Sequence, residues 1–518
     1  MKHIYDFDSL FFKVVRIIPG FVTILLLLAP IWATLLGKPE IVLYYVAFLS
    51  VYWFYKTIVT NIGNLVAFRR YKRALALDWD EMIKKLVWEE LPNKEQLPAS
   101  FDELKVVVLV PVYKEPYAVL KATFDSIKNS TFDIKKISVV VGLEVSAGPQ
   151  FEEQMKKLQE EYQGVFAEFK FYLHPKDIPG EAVGIAGANL NWASREYAKE
   201  LIEKGEDLRN YQVIKYDSDM LIHPKFISNY VHTYLTTPNR YYAFFSPAIM
   251  LYSNNYWDVP VLMRVFSGVL TLALMSEWVV SKKKKQSFSC YGFNLQLLHQ
   301  IDYFDPKIGV DDTGFYWRAF LALDGNFRGE EFYAPCYNDA VQADTYVKSH
   351  VVMYKQLRRW GWGAIVYPMT IQGIKNNKNI SVGKKIGSVV ELFRVYNLYS
   401  TLTFLLSFSI PLITLLNPDF GLSSSAHVLP KIVSTLLTFS LLGLFPSRSI
   451  LEAMYGQPPK SRGVLFFIWH YFEQLLLVVF SLTLGFFPYL QAQIEMMLGK
   501  SMTFMVTPKV RDGQKAEL

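Results

Sequence analysis

The sequence predicts an α/β domain with a mainly parallel sheet, inserted between N-terminal and C-terminal membrane helices. Three observations predict it. Apolar runs of bilayer length cluster near both ends of the chain. The middle alternates short β-branched runs with helical stretches, the pattern of a parallel sheet covered by helices. Acidic residues fall just past the ends of those runs, where sheets of this kind bind ligands.

At the N-terminal end, Ile17 to Leu36 and Ile41 to Thr60 are two apolar runs, each near the ~20 residues a crossing needs. Gly37-Lys38-Pro39-Glu40 joins them as a tight hairpin. Lys2, Lys13 and Arg16 precede the first run, which has no small-residue cleavage site and so reads as a retained anchor. Arg69, Arg70, Lys72 and Arg73 follow the second, placing the next domain and the N-terminus in the cytoplasm. The net charge of +7 thus faces anionic lipid, and no nucleic-acid-binding pattern accompanies it. Cys290 and Cys336 are too few for a disulfide framework and read as two reduced thiols.

The soluble domain opens with a buried-type strand over Lys105–Pro111, followed by a helix over Ala118–Lys128 and a second strand over Ile137–Leu143. A helix to about Gln163, a strand over Phe169–Leu173, a helix over Asn191–Glu203 and a strand over Tyr211–Tyr216 come next. Met263 to Val280 is apolar yet holds Arg264 and Glu277. It reads as a membrane-surface or buried helix, because a crossing there would separate the acidic clusters on either side of it. Lys282 to Lys285 reads as a solvated loop. Two further spans follow, Phe393–Leu416 and a short Ile432–Phe445, joined by a polar loop over Asn417–Ser425. Gly463–Leu490 is hydrophobic, and Gly485 and Pro488 would break it into a re-entrant or interfacial segment.

Three Asp-x-Asp pairs occur: Asp6/Asp8, Asp78/Asp80 and Asp217/Asp219. Only the last follows a predicted core strand, where two carboxylates would share Mg²⁺ or Mn²⁺ and offset a nucleotide diphosphate. Asp311 and Asp312 are adjacent carboxylates, one of which would be a general base for an acceptor hydroxyl; spacing does not say which. Glu115 and Glu144 each follow a core strand and would accept hydrogen bonds from a base or ribose. Gly184-Ile185-Ala186-Gly187-Ala188-Asn189 is small enough for a backbone to approach a phosphate. Gln356, Arg358, Arg359 and Trp360 supply cations for a diphosphate and a flat face for a sugar ring or an apolar acceptor.

Together these residues resemble the membrane-embedded family 2 inverting glycosyltransferases, the superfamily of cellulose, chitin and hyaluronan synthases. Val110-Pro111-Val112-Tyr113-Lys114-Glu115-Pro116 is similar to the opening element of that family. Asp217-Ser218-Asp219 matches its metal-binding pair, and Gln356-Leu357-Arg358-Arg359-Trp360 its QxxRW element. Phe504-Met505-Val506-Thr507-Pro508-Lys509 resembles the gating loop of cellulose synthases, carried by Phe504, Val506, Thr507 and Lys509. The resemblance implies a glycosyltransferase-A type domain. It makes Asp312 the base, with Asp311 beside it, and assigns Pro111, Tyr113, Glu115, Glu144, Asn189 and Asp217 to the donor. Glu144 and Asp311 replace an Asp and a Glu of the family, and a Lys of its phosphate segment is missing near Gly187.

The expected organisation is a membrane hairpin over 1–70, a linker and surface helix over 71–104 and the transferase domain over 105–365. Interfacial and membrane helices over 366–498 and a gating-loop-like tail over 499–518 complete it. The expected activity is transfer from a nucleotide diphosphate sugar, read as a UDP-sugar, to a growing polysaccharide. This would take place at the plasma (inner) membrane in a multi-pass protein, with an export partner left open. Two alternatives stand beside it: single addition to a lipid-linked acceptor, and a non-catalytic scaffold with a degenerate transferase domain.

Overall fold

The computed structural model describes residues 4–181, 185–281, 287–459, 461, 463–500 and 502. The gating-loop-like segment Phe504–Lys509 and the lysine run 282–285 lie outside the described residues.

Ten strands form the domain: β1 Lys105–Val112, β2 Ile137–Glu144, β3 Glu168–His174, β4 Tyr211–Lys215, β5 Leu221–Ile222, β6 Ala243–Pro247, β7 Met250–Leu251, β8 Tyr291–Asn294, β9 Arg328–Phe332 and β10 Cys336–Tyr337. Seven make one sheet in the order β3-β2-β1-β4-β8-β6-β9, and β5-β10-β7 make a small second one. Strands β3, β2, β1 and β4 are parallel; β8 runs antiparallel to β4 and β6, and β9 is parallel to β6. The sheet is therefore mixed but mainly parallel, as expected. β1 reads Lys-Val-Val-Val-Leu-Val-Pro-Val and β2 is buried along its whole length, because helices cover both faces. Val107, Leu109 and Val213 point into one apolar core, while Val106, Val108, Val110 and Ile214 point into the other.

The chain leaves β1 for β2 on one side and returns as β4 on the other, so β1 and β4 flank the point where strand order reverses. The crevice beyond their C-terminal ends is the place a sheet of this type offers a ligand.

Among the described residues, six helical stretches are long and apolar enough to cross a membrane: 10–27, 39–76, 261–280, 382–416, 424–455 and 463–497. Helices Ile18–Leu27 and Ala29–Leu35 make up the first expected run, and Gly37 turns the chain with φ at +70°, a conformation that glycine adopts without strain. The next helix does not stop at Thr60. It runs 38 residues in all, from Pro39 to Ala76, and carries the basic cluster on its last turns, so the expected linker begins later. The helix Val261–Val280 matches the expected packed character: 61% of its apolar stretch is buried, against 28% or less for the other five. Both of its charges are paired, Arg264 with Glu473 and Glu277 with Lys56. The short span expected at Ile432–Phe445 is part of a 32-residue helical stretch over Ser424–Tyr455. Gly463–Leu490 is broken at Thr483–Phe486, close to the expected Gly485 and Pro488, before the last helix Phe487–Met497.

The N-terminal segment packs on the α/β domain. Tyr5 donates a 2.6 Å hydrogen bond to Asp305, and Tyr5, Phe12 and Val15 join the same apolar core as Phe293 and Phe315.

Candidate functional site

A cavity of about 460 Å³ opens beyond the C-terminal ends of β1, β2 and β4. Most residues singled out from the sequence line it. Pro111, Tyr113 and Glu115 come from the end of β1, Glu144 from the end of β2, and Asn189 from the helix Ala186–Glu203. Asp217 and Asp219 follow β4, and Asp311 and Asp312 begin the helix Asp311–Ala322. The helix Tyr346–Gly361 contributes Gln356, Arg359 and Trp360. Those three stand at i, i+3 and i+4, the spacing that places side chains on one face of a helix.

Among the described residues, Arg358 is the exception to the sequence-predicted site. It lies off that face and is not part of the cavity wall; its guanidinium is 2.9 Å from Glu495.

Several side chains are fixed before any ligand is considered. Asn189 donates to the carbonyls of Val112 and Gly142 at 3.1 and 2.7 Å, tying β1 to β2. A Cβ at Gly142 would sit 2.2 Å from the Asn189 side-chain oxygen, so glycine is required there. Glu115 accepts a 2.7 Å bond from the Tyr113 amide, and burial pushes its carboxyl up against that bond. Glu144 is bonded to His174 Nδ1 at 2.8 Å, and His174 Nε2 lies 2.9 Å from Glu181.

The two acidic pairs meet through a lysine. Lys215, the last residue of β4, places Nζ 2.6 Å from Asp217 Oδ1, 2.9 Å from the Ser289 carbonyl and 3.4 Å from Asp311 Oδ2. Burial would lower its pKa, but the charges of Asp217, Asp311 and Asp312 outweigh burial and raise it, so the group is an ammonium. Asp311 Oδ2 thus faces that ammonium at ion-pair distance. Asp312 is held differently: its Oδ1 takes the Thr313 amide at 2.7 Å and its Oδ2 the Ser289 amide at 3.3 Å. Burial first, then the charge on Asp311, pushes its carboxyl up to about 6, with Lys215 and the Thr313 amide pulling the other way. Of the two acids, Asp312 is the one whose carboxyl is raised toward neutral pH. Ser289, which serves both Lys215 and Asp312, has φ at +33°, a strained conformation for a residue with a side chain.

Among the described residues, seven carboxyl side chains line the cavity (Glu115, Glu144, Asp217, Asp219, Asp311, Asp312 and Asp339) against two cationic ones, Lys215 and Arg359. So acidic a wall repels a diphosphate unless a cation accompanies it. Among the described residues, no three His, Cys, Asp or Glu side chains gather to hold a metal by themselves. Asp217 and Asp219 offer two carboxylates, which fits a hard divalent ion that takes its remaining ligands from phosphates and water. The opposite wall is apolar and aromatic. Phe266, Leu270 and Leu274 form one stripe of the helix Val261–Val280, joined by Tyr252, Tyr396 and Tyr489.

Sequence reasoning missed Lys215, Ser289, Asp339 and this aromatic wall. Lys215 had a signal, a charged residue two positions before Asp217 on the same side of a strand that is otherwise buried. Tyr396 and Tyr489 had none, since distant helices bring them in. Cys290 and Cys336 are buried free thiols, as expected.

No family model and no curated protein matches the sequence. Among solved structures, the chain is similar to the mannosyltransferase PcManGT from Pyrobaculum calidifontis in complex with GDP-Man and Mn²⁺. That likeness has 14% identity and a TM-score of 0.41, over 77% of this chain and 99% of that one. It is also similar to S. aureus TarS 1–349 in complex with UDP-GlcNAc, at 13% identity and a TM-score of 0.34 over 79% and 95% of the two chains. GalNAc-T7 with UDP, GalNAc and Mn²⁺ gives 11% identity and a TM-score of 0.33, over 57% and 59%.

Proposed function

We propose that this chain is a membrane-bound inverting glycosyltransferase. It moves a sugar from a nucleotide diphosphate sugar, in our reading a UDP-sugar, to an acceptor hydroxyl, and adds repeatedly to a growing polysaccharide. The observation that carries the reading is the convergence of Asp217 and Asp219, Asp311 and Asp312, and Gln356, Arg359 and Trp360 on one cavity at the strand ends. These groups lie far apart in sequence, and packing alone gives no reason for them to share a wall.

Each part has work to do. Glu144, fixed by His174, faces the base of the nucleotide. A divalent ion held by Asp217 and Asp219 would offset the charge of the leaving diphosphate. Arg359 adds a fixed cation on the diphosphate side, and Trp360 gives a face against which the acceptor sugar lies. Asp312 Oδ2 takes the proton of the acceptor hydroxyl as that oxygen bonds to the anomeric carbon and the bond to the diphosphate breaks. A single displacement inverts the anomeric configuration. With its pKa near 6, Asp312 is ionised at neutral pH and more basic than an ordinary carboxylate.

A second reading is single addition to a lipid-linked acceptor. The apolar stripe Phe266, Leu270 and Leu274, on a helix that also packs among the membrane helices, favours it. One experiment separates the two: radiolabel incorporation by the purified protein with Mg²⁺ or Mn²⁺ and a panel of UDP- and GDP-sugars, alongside Asp312→Asn. High-molecular-weight product lost in the variant supports the synthase. A one-sugar lipid product selects the second reading, and no transfer from any donor sinks both.

A further inference from the structure

Lys215 is 3% exposed and ends a strand in which every other residue is buried. An ammonium has three N–H donors, and those of Lys215 have three acceptors close by: Asp217 Oδ1, the Ser289 carbonyl and Asp311 Oδ2. Two of those donors are hydrogen-bonded, to Asp217 and to the Ser289 carbonyl, and the ion pair with Asp311 keeps the positive charge among carboxylates.

That charge bears on the cation. Asp217 is one of the two carboxylates that fit a divalent ion, and its Oδ1 already lies 2.6 Å from the ammonium. A divalent ion seated on Asp217 and Asp219 sits a few ångströms from Lys215, where like charges in a partly buried site repel strongly. A diphosphate bound to the same ion supplies negative charge that offsets the repulsion.

We propose that Lys215 makes divalent-cation binding at Asp217 and Asp219 conditional on the nucleotide diphosphate, so that metal enters with the donor and not ahead of it. The proposal rests on the donor-site reading given above. Lys215 is a positioning residue in this scheme: it holds Asp217 and Asp311 in place and sets the order in which ligands arrive.

The test is Mn²⁺ binding, read by electron paramagnetic resonance on the full-length protein in nanodiscs, with no nucleotide, with UDP and with GDP. In the natural protein either nucleotide tightens Mn²⁺ at least tenfold. Lys215→Met and Lys215→Gln tighten Mn²⁺ alone at least tenfold and shrink the nucleotide effect, whereas Lys215→Arg retains it. Asp311→Asn, which leaves the lysine more fully on Asp217, weakens Mn²⁺ alone; this variant carries the test if the neutral lysine variants do not fold. Unchanged Mn²⁺ affinity in these variants, with the nucleotide effect intact, overturns the role of Lys215 and leaves the donor site standing. Lys215→Arg behaving like Lys215→Met also overturns it, since charge would then not be the cause. No Mn²⁺ binding with either nucleotide in the natural protein overturns both.

Discussion

Arg358 and Glu495 are joined by a two-pronged ion pair, with Nε and Nη2 each 2.9 Å from the same carboxylate oxygen. Glu495 also accepts from Gln491, which in turn accepts a 2.6 Å bond from Tyr354. The pair bolts the helix Tyr346–Gly361 to the last helix, Phe487–Met497, whose Tyr489 lines the cavity. Gly361 makes the contact close: a Cβ there would lie 2.8 Å from that of Ala492. Two neighbouring arginines therefore have different work, one toward the cavity and one toward the helix beside it.

Substitution separates them. Arg359→Ala is expected to lower kcat by roughly 10²-fold or more, the usual loss when a group stabilising developing charge is removed. Arg358→Ala is expected to leave KM for the donor unchanged and to cost about 1 kcal/mol or less of stability, because the pair is partly exposed. Initial rates and thermal unfolding of the two purified variants check both. Equal losses of kcat would show that the ion pair does not keep Arg358 out of the chemistry.

Asp312 gives the activity a pH dependence of known sign. Its carboxyl titrates near 6, so it is a base above that pH and a neutral acid below it. kcat/KM is expected to be flat at neutral pH and to fall roughly tenfold per pH unit on the acid side. Asp312→Asn should lose on the order of 10²- to 10⁴-fold and abolish that acid limb in whatever rate remains. A limb that persists in the variant would assign the titration to another group.

How much of this was legible follows from how local each signal is. Strands β1 and β2 are apolar runs between helices, and burial on both faces leaves that mark on them, while the edge strand β3 carries it only in part. Gln356, Arg359 and Trp360 could be placed on one helix face by counting. The helix expected to begin at Asn191 begins at Ala186, because Ala186-Gly187-Ala188 carries no apolar period. Gly187 packs there against Ile308 and Asp305, leaving its Cβ position 3.0 Å from a backbone oxygen. The antiparallel strand β8 and its neighbour β6 were not legible. These strands are short, and their register depends on partners tens of residues away. The long helix to Ala76 defeated a boundary drawn at the first charges, since Arg and Lys are good helix formers and continue it into water.

His174 lies between Glu144 and Glu181 and joins the end of β3 to both. Burial would lower its pKa, but the hydrogen bonds and charges of the two carboxylates win and raise it. As an imidazolium it donates from both nitrogens. When pH rises through the raised pKa, one nitrogen becomes an acceptor facing a carboxylate, and the bridge that holds Glu144 and Glu181 loses one of its two bonds. Donor KM is therefore expected to rise on the alkaline side while kcat holds. His174→Gln, whose one donor nitrogen cannot bridge both carboxylates as the imidazolium does, should show the raised KM at every pH. Nucleotide affinity measured by calorimetry across pH checks this, and a pH-independent affinity in the natural protein would remove His174 from the account.

Arg264 and Glu473 make a deeply buried ion pair in the helical region, 4% and 0% exposed, with Nε 3.1 Å from Oε1 and Nη2 2.9 Å from Oε2. Arg448 lies 4.0 Å from the same carboxylate, and the His470 ring, packed edge-on with Trp257, adjoins it. The cluster joins the helix Val261–Val280 to Leu444–Tyr455 and Gly463–Phe472. Removing one partner leaves a buried charge without its counter-charge, which costs about 3–5 kcal/mol, while replacing both by apolar groups of similar volume is often close to neutral. Glu473→Gln and Arg264→Met should each lower the thermal unfolding midpoint of the detergent-solubilised protein, and the Arg264→Met/Glu473→Met double variant should recover most of the loss. The Val261–Val280 helix also lines the cavity, so the single variants should lose activity along with stability and the double variant should regain both. A double variant as unstable as its parents would mean that the bonds themselves, including that of Arg264 to the Val259 carbonyl, hold these helices together.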